Sequence, residues 1–162
     1  MQKSIYKNIS LKLLAIFFTM LNIDNFNLID DIKILPNLDI MLIFFFTICR
    51  IGIFPIWFIF VLGVWVDSLN NTPVGLSSLI YIFLIKIFLF FNYPEKNIND
   101  FKKNISIFAL FLATYYILKL GLLSIYYSQI YNIYNFSIEY LISIVTYVFF
   151  SLILFKYNRE DY

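Results

Sequence analysis

The sequence predicts an all-α integral membrane protein, a single multi-pass domain over residues 1–162 with about six transmembrane helices and both termini in the cytoplasm. Three observations carry this. Hydrophobic residues make up 62% of the chain and charged residues 14%, where a soluble domain has about 45–50% and about 25%. A chain this short cannot hide so much apolar surface in one water-soluble core. The apolar residues also fall into runs near the roughly 20 residues that a spanning helix needs. Finally, Lys and Arg collect on one side once those runs are threaded through a bilayer.

The spans are expected at about 9–23, 36–53, 55–69, 73–91, 105–126 and 138–155. At the first, Lys3, Lys7 and Lys12 precede the apolar run 13–21, and Asn22 to Phe26 follow it with no small-x-small cleavage site, which reads as a retained helix rather than a signal peptide. Pro36, Pro55 and Pro73 stand where the second, third and fourth helices should begin, because proline is tolerated in the first turn. Asn71 or Thr72 is placed to cap the fourth.

The boundary near Pro55 admits two readings, since only Arg50, Gly52 and Pro55 interrupt the stretch 38–69. A helix over 55–69 would be about 22 Å long at 1.5 Å per residue, short for a core of roughly 30 Å. The segment 36–69 is either two spans or one kinked helix. Charge favours two. With six spans, Lys3, Lys7, Arg50, Lys96, Lys102, Lys103, Lys156 and Arg159 all fall inside and only Lys33 outside. The loop 24–35 is acidic, and the loop 126–137 lacks Lys and Arg but is rich in Tyr, a residue that suits the headgroup level.

Charges within a span cost about 2.5–3.5 kcal/mol each on insertion scales. Four stand out: Lys12, Asp67, Lys86 and Lys119. Lys12 and Lys86 can snorkel toward the inner face. Asp67 is too short to do so, and is expected to face protein, paired with Lys119 or with the first amides of the fourth helix. Gly63 lies one turn earlier on the same face, where a small residue admits a close neighbour. Gly75 sits at the start of the fourth helix. Ala15 and Thr19 form a weak small-xxx-small pair.

Nothing points to catalysis or to a cofactor. The chain has one cysteine and no histidine, which excludes zinc sites of Cys and His. No nucleophile–base set, phosphate loop or pair of carboxylates within the spans is discernible, and a net charge of +2 gives no reason to expect nucleic acid.

The stretch FVLGVWVDSLNNTPVGLSSLIY, residues 60–81, resembles the signature of the MreD family of bacterial rod shape-determining proteins. The matching elements are Gly63, Asp67, the polar turn at Asn70 and Asn71, then Pro73, Gly75 and Leu76. Upstream, Arg50 and Pro55 in CRIGIFPIWFIF look like the Arg and Pro that often precede this helix in the family. Asn70, Asn71 and Thr72 stand where the family often has Gly, and FFFTICR lacks the usual Trp or Tyr. The resemblance implies a scaffold of the cell-elongation complex in the inner membrane, with no reaction of its own. Its partners would be an MreC-like bitopic protein and, indirectly, an MreB-like filament and the peptidoglycan synthases. The alternative is a substrate-binding membrane subunit of a vitamin transporter of the energy-coupling-factor type. Such subunits usually carry Ala-x-x-x-Ala on the first helix, where this chain has Ala15 and Thr19.

Overall fold

The computed structural model describes residues 12–20, 36–49, 54–91, 101–128 and 133–159. Among them the chain is all-α, with six helices and no strand. They are α1 (residues 12–20), α2 (Leu38–Phe44, continued by a π-helical turn Phe45–Cys49), α3 (Ile56–Leu69), α4 (Leu76–Phe90), α5 (Phe101–Tyr127) and α6 (Ile133–Arg159). The expectations for Arg50, both termini and the loop 24–35 fall outside the described residues.

The helical path breaks at Phe54 and Pro55, where Pro55 is extended with φ −68° and ψ 152°. The stretch 38–69 is therefore not one continuous helix. Asp39 near the start of α2 meets Tyr81 near the start of α4, and Thr47 lies with Ile85 and Leu89 near its end. Helix α2 thus runs alongside α4 in the same direction, while α3 doubles back. Ring contacts fix the rest: Tyr81 faces Tyr115 and Phe88 faces Phe111, so α5 is antiparallel to α4. Phe108 stacks on Tyr147 at 3.8 Å and Tyr116 meets Tyr140, so α6 is antiparallel to α5.

Two tiers fill the interior. One is aromatic: Phe44 lies 5.2 Å from both Phe108 and Phe111 and 5.7 Å from Tyr147. The other, toward the start of α2 and α4, is polar and is described below.

The element ends differ from expectation for physical reasons. The prolines stand outside the helices rather than in their first turns: Pro55 immediately precedes α3, and Pro73 lies three residues before α4. Helices α5 and α6, 27 residues each, outrun the apolar segments 105–126 and 138–155, because polar residues at a helix end change hydropathy without breaking the backbone pattern. One described helix, Lys102–Tyr127, is long and apolar enough to cross a membrane; Ile56–Leu69 and Leu76–Phe90 are apolar but shorter.

Candidate functional site

The tightest feature is the junction of α3 and α4, and it begins with a missing side chain. Gly63 on α3 lets the backbone of α4 come so near that an added Cβ would stand 2.5 Å from both the Cα and the N of Ser78. At the same crossing the Ser78 hydroxyl donates to the Phe60 carbonyl at 2.8 Å. One helical turn beyond Gly63, Asp67 is fully buried.

The turn between the helices wraps around this carboxylate. Asn71 takes a left-handed φ of 52°, a conformation that Asn tolerates. The Thr72 amide then donates to the Asp67 backbone carbonyl at 3.1 Å, and its hydroxyl to Oδ1 at 2.9 Å. Gly75, at φ 96°, is the residue that caps α4. It has no side chain to satisfy the first amides of the helix, the role a cap residue ordinarily plays. Asp67 supplies the acceptors instead. Oδ2 accepts from the Gly75 amide at 2.8 Å, and the Ser77 amide is shared between Oδ1 at 3.2 Å and Oδ2 at 3.1 Å. The positive end of the α4 dipole faces the same negative charge.

Of the two partners open to Asp67 from the sequence, the structure places the helix amides there. Lys119 is elsewhere: its ammonium lies 5.7 Å from the ring of Tyr115, one turn back on α5. Neither Asn71 nor Thr72 acts as the side-chain cap of α4, because the carboxylate from α3 already occupies those amides. Gly63, Asp67, Pro73, Gly75 and Leu76 are brought together in this unit, with the Leu76 amide donating to the Pro73 carbonyl at 3.1 Å. Pro55 stands at the far end of α3, where its carbonyl accepts from Phe58 and Ile59.

A second buried polar group joins α2, α4, α5 and α6. Asp39 is 2% exposed and Glu139 7%. The Tyr81 hydroxyl donates to Asp39. The Tyr116 hydroxyl accepts from the Asn37 side-chain amide at 2.5 Å and donates to Glu139 at 3.1 Å. The Asn37 backbone amide donates to the Ser143 hydroxyl at 3.0 Å. The rings of Tyr81 and Tyr115 stack with centroids 6.1 Å apart.

This group is not discernible from the sequence, and each of its two carboxylates binds a tyrosine hydroxyl. Asp39 and Glu139 each fell within four residues of the start of a drawn span, where a charge reads as an edge residue. Tyr81, Tyr115 and Tyr116 lie inside apolar runs, where nothing in the sequence marks them as polar partners. The arrangement is a hydrogen-bonded network of carboxylates and phenols; among the described residues, no three His, Cys, Asp or Glu side chains converge to hold a metal ion.

Comparison of the chain with family models, with curated proteins and with solved structures finds no match.

Proposed function

We propose that this protein is a multi-pass scaffold of the inner membrane of the MreD type, which helps hold together a bacterial cell-elongation complex. One observation carries the reading: the residues of the 60–81 pattern form a single interlocked unit. Gly63 admits α4, Asp67 caps it, and Gly75 supplies the left-handed turn that aims its amides at the carboxylate. A chance scatter of Gly, Asp and Pro along an apolar chain has no reason to interlock in this way.

The membrane location is supported by the distribution of side chains. Large apolar residues point outward on α1, α3, α4, α5 and α6, among them Phe17, Trp57, Phe83, Ile117 and Phe149, while α2 is enclosed by the others. Asp39, Asp67, Glu139 and Asn37 point inward. Only 28% of the most apolar window of α5 is buried by its neighbours, whereas the core helix of a water-soluble protein is covered on most sides. Lipid is the solvent that suits an apolar exterior around a polar centre, since buried polar groups must find partners within the protein.

As a scaffold the protein performs no chemistry. Its α3–α4 unit is a stiff pair of helices fixed by close packing and by satisfied polar groups, the two means by which helices associate in lipid. The partners follow from the resemblance: an MreC-like bitopic protein, and through it an MreB-like filament and the peptidoglycan synthases.

Depletion in the source organism tests the reading. Rod-shaped cells should round up while vitamin uptake stays normal, and tagged protein should co-purify with an MreC-like partner from the membrane fraction. Normal shape with lost uptake would instead identify a substrate-binding subunit of an energy-coupling-factor transporter.

A further inference from the structure

Among the described residues Lys86 has no counter-charge. It lies ten residues past the start of α4, about 15 Å along the helix at 1.5 Å per residue. The outer end of the α3–α4 hairpin is level with the end of α5, because the Tyr127 hydroxyl reaches the Asn71 carbonyl at 3.5 Å. At the other end Phe88 meets Phe111 at 5.0 Å. From Phe111 back to its first residue, Phe101, α5 continues for ten residues, about 15 Å beyond the level of Phe88. With Lys102 and Lys103 of α5 at the inner headgroups, the Lys86 stem leaves its helix well inside the hydrocarbon. Its side chain is exposed on the outside of the bundle, and among the described residues no carboxylate pairs with it.

Beside Lys86 is a cavity of about 80 Å³ at the inner end of the hairpin, walled by Thr47, Phe54, Ile56, Ile85 and Leu89. Thr47 brings the one hydroxyl to this wall and commits it to the Ile43 carbonyl. Apart from Thr47 and the Lys86 side chain the walls are apolar, whereas a buried water needs two to four polar partners. The Lys12 ammonium lies 5.4 Å from the ring of Trp57, and Trp57 follows Ile56 of the cavity wall in sequence.

We propose that the cavity and Lys86 form a site for one anionic phospholipid of the inner leaflet, a proposal that rests on the membrane reading above. The end of an acyl chain enters the cavity, and the phosphate is drawn inward to the Lys86 ammonium, with Lys12 adding to the positive field. The hairpin accounts for the inward shift. Helix α4 spans only about 22 Å against a core of roughly 30 Å, and a bilayer meets a short span by thinning beside it. Charge complementarity selects an anionic lipid over a zwitterionic one.

The two tryptophans make the test direct. Trp57 lies next to the site and Trp65 two turns away, so the Trp65→Phe chain carries one reporter. It is reconstituted in phosphatidylcholine vesicles containing a minor fraction of brominated phosphatidylglycerol or, separately, brominated phosphatidylcholine. Quenching of Trp57 should favour the anionic lipid by about fivefold, the effect of one well-placed cation. The preference should vanish in Lys86→Gln and survive in Lys86→Arg, with circular dichroism unchanged in both. Equal quenching by the two lipids overturns the proposal, as does a preference that Lys86→Gln leaves intact. Alkaline carbonate extraction of cell membranes separates the two levels: protein that stays with the pellet but lacks the preference refutes the lipid site alone, whereas release to the supernatant refutes the membrane reading as well.

Discussion

The backbone of Ser78 occupies the space that a side chain on Gly63 would need. The obstacle is main chain, so no rotamer change can relieve it. Gly63→Ala should therefore push α3 from α4 and weaken the Ser78 bond to Phe60. Overpacking of this kind costs about 1–3 kcal/mol. Gly121 on α5 is the control, since a Cβ there meets nothing within 4 Å. Gly121→Ala should leave the thermal midpoint in detergent unchanged or higher, given the better helix propensity of Ala. Equal losses in the two variants would show that close approach at Gly63 is not what holds the pair.

Gly75 makes a different demand. A Cβ there has open space but a backbone at φ 96°. Left-handed conformations cost an ordinary residue about 1–2 kcal/mol, while Asn tolerates them better. Gly75→Ala should lower the midpoint, and Gly75→Asn should recover much of the loss. If Asn and Ala behave alike, backbone conformation is not the constraint.

Asp67 should prove far more sensitive than Lys119. Removing its carboxylate leaves the Gly75 and Ser77 amides and the Thr72 hydroxyl without their acceptor. A buried donor left unsatisfied costs about 1–3 kcal/mol. Asp67→Ala is therefore expected to prevent stable accumulation of the protein in cells, and Asp67→Asn, which keeps one oxygen, to cost less. Lys119→Gln should be close to neutral, because its ammonium rests on Tyr115 rather than on Asp67. A charge swap between positions 67 and 119 that restored a damaged Asp67 variant would contradict this.

What the sequence could and could not reveal follows the same division. The Asp67 unit was legible because it is local: Gly63, Asp67, Pro73 and Gly75 lie within thirteen residues, and their spacing along two helices and a turn sets their meeting. The choice between Lys119 and the amides was not legible. Residue counts give depth along a helix but not which way distant helices face each other. The same limit hid the second network, where Asn37 precedes α2 while Tyr116 and Glu139 come from α5 and α6. Lys86 shows a third case. The sequence suggests a helix starting at Pro73, but α4 starts at Leu76, which shortens the helical path to Lys86 from about 20 Å to about 15 Å.

Tyr116 is the residue through which the second network should be tested. Its hydroxyl is the joint of three helices, taking a bond from Asn37 on the approach to α2 and giving one to Glu139 on α6. Tyr116→Phe keeps the ring, and with it the edge contacts to Phe136 and Tyr140, so any loss belongs to the hydroxyl. Asn37 and Glu139 retain other interactions, which places the expected loss near the low end of the roughly 1–3 kcal/mol typical of a buried polar group deprived of a partner. Tyr140→Phe is the comparison. That hydroxyl bonds the Ala109 carbonyl at 3.3 Å from a partly buried site, and its removal should cost less. A double-mutant cycle of Tyr116→Phe with Glu139→Gln then isolates the bond: groups in one network couple by about 0.5–3 kcal/mol. Strict additivity in thermal unfolding would mean that Glu139 is held by its other contacts and that the Tyr116 hydroxyl does not tie α6 to α5.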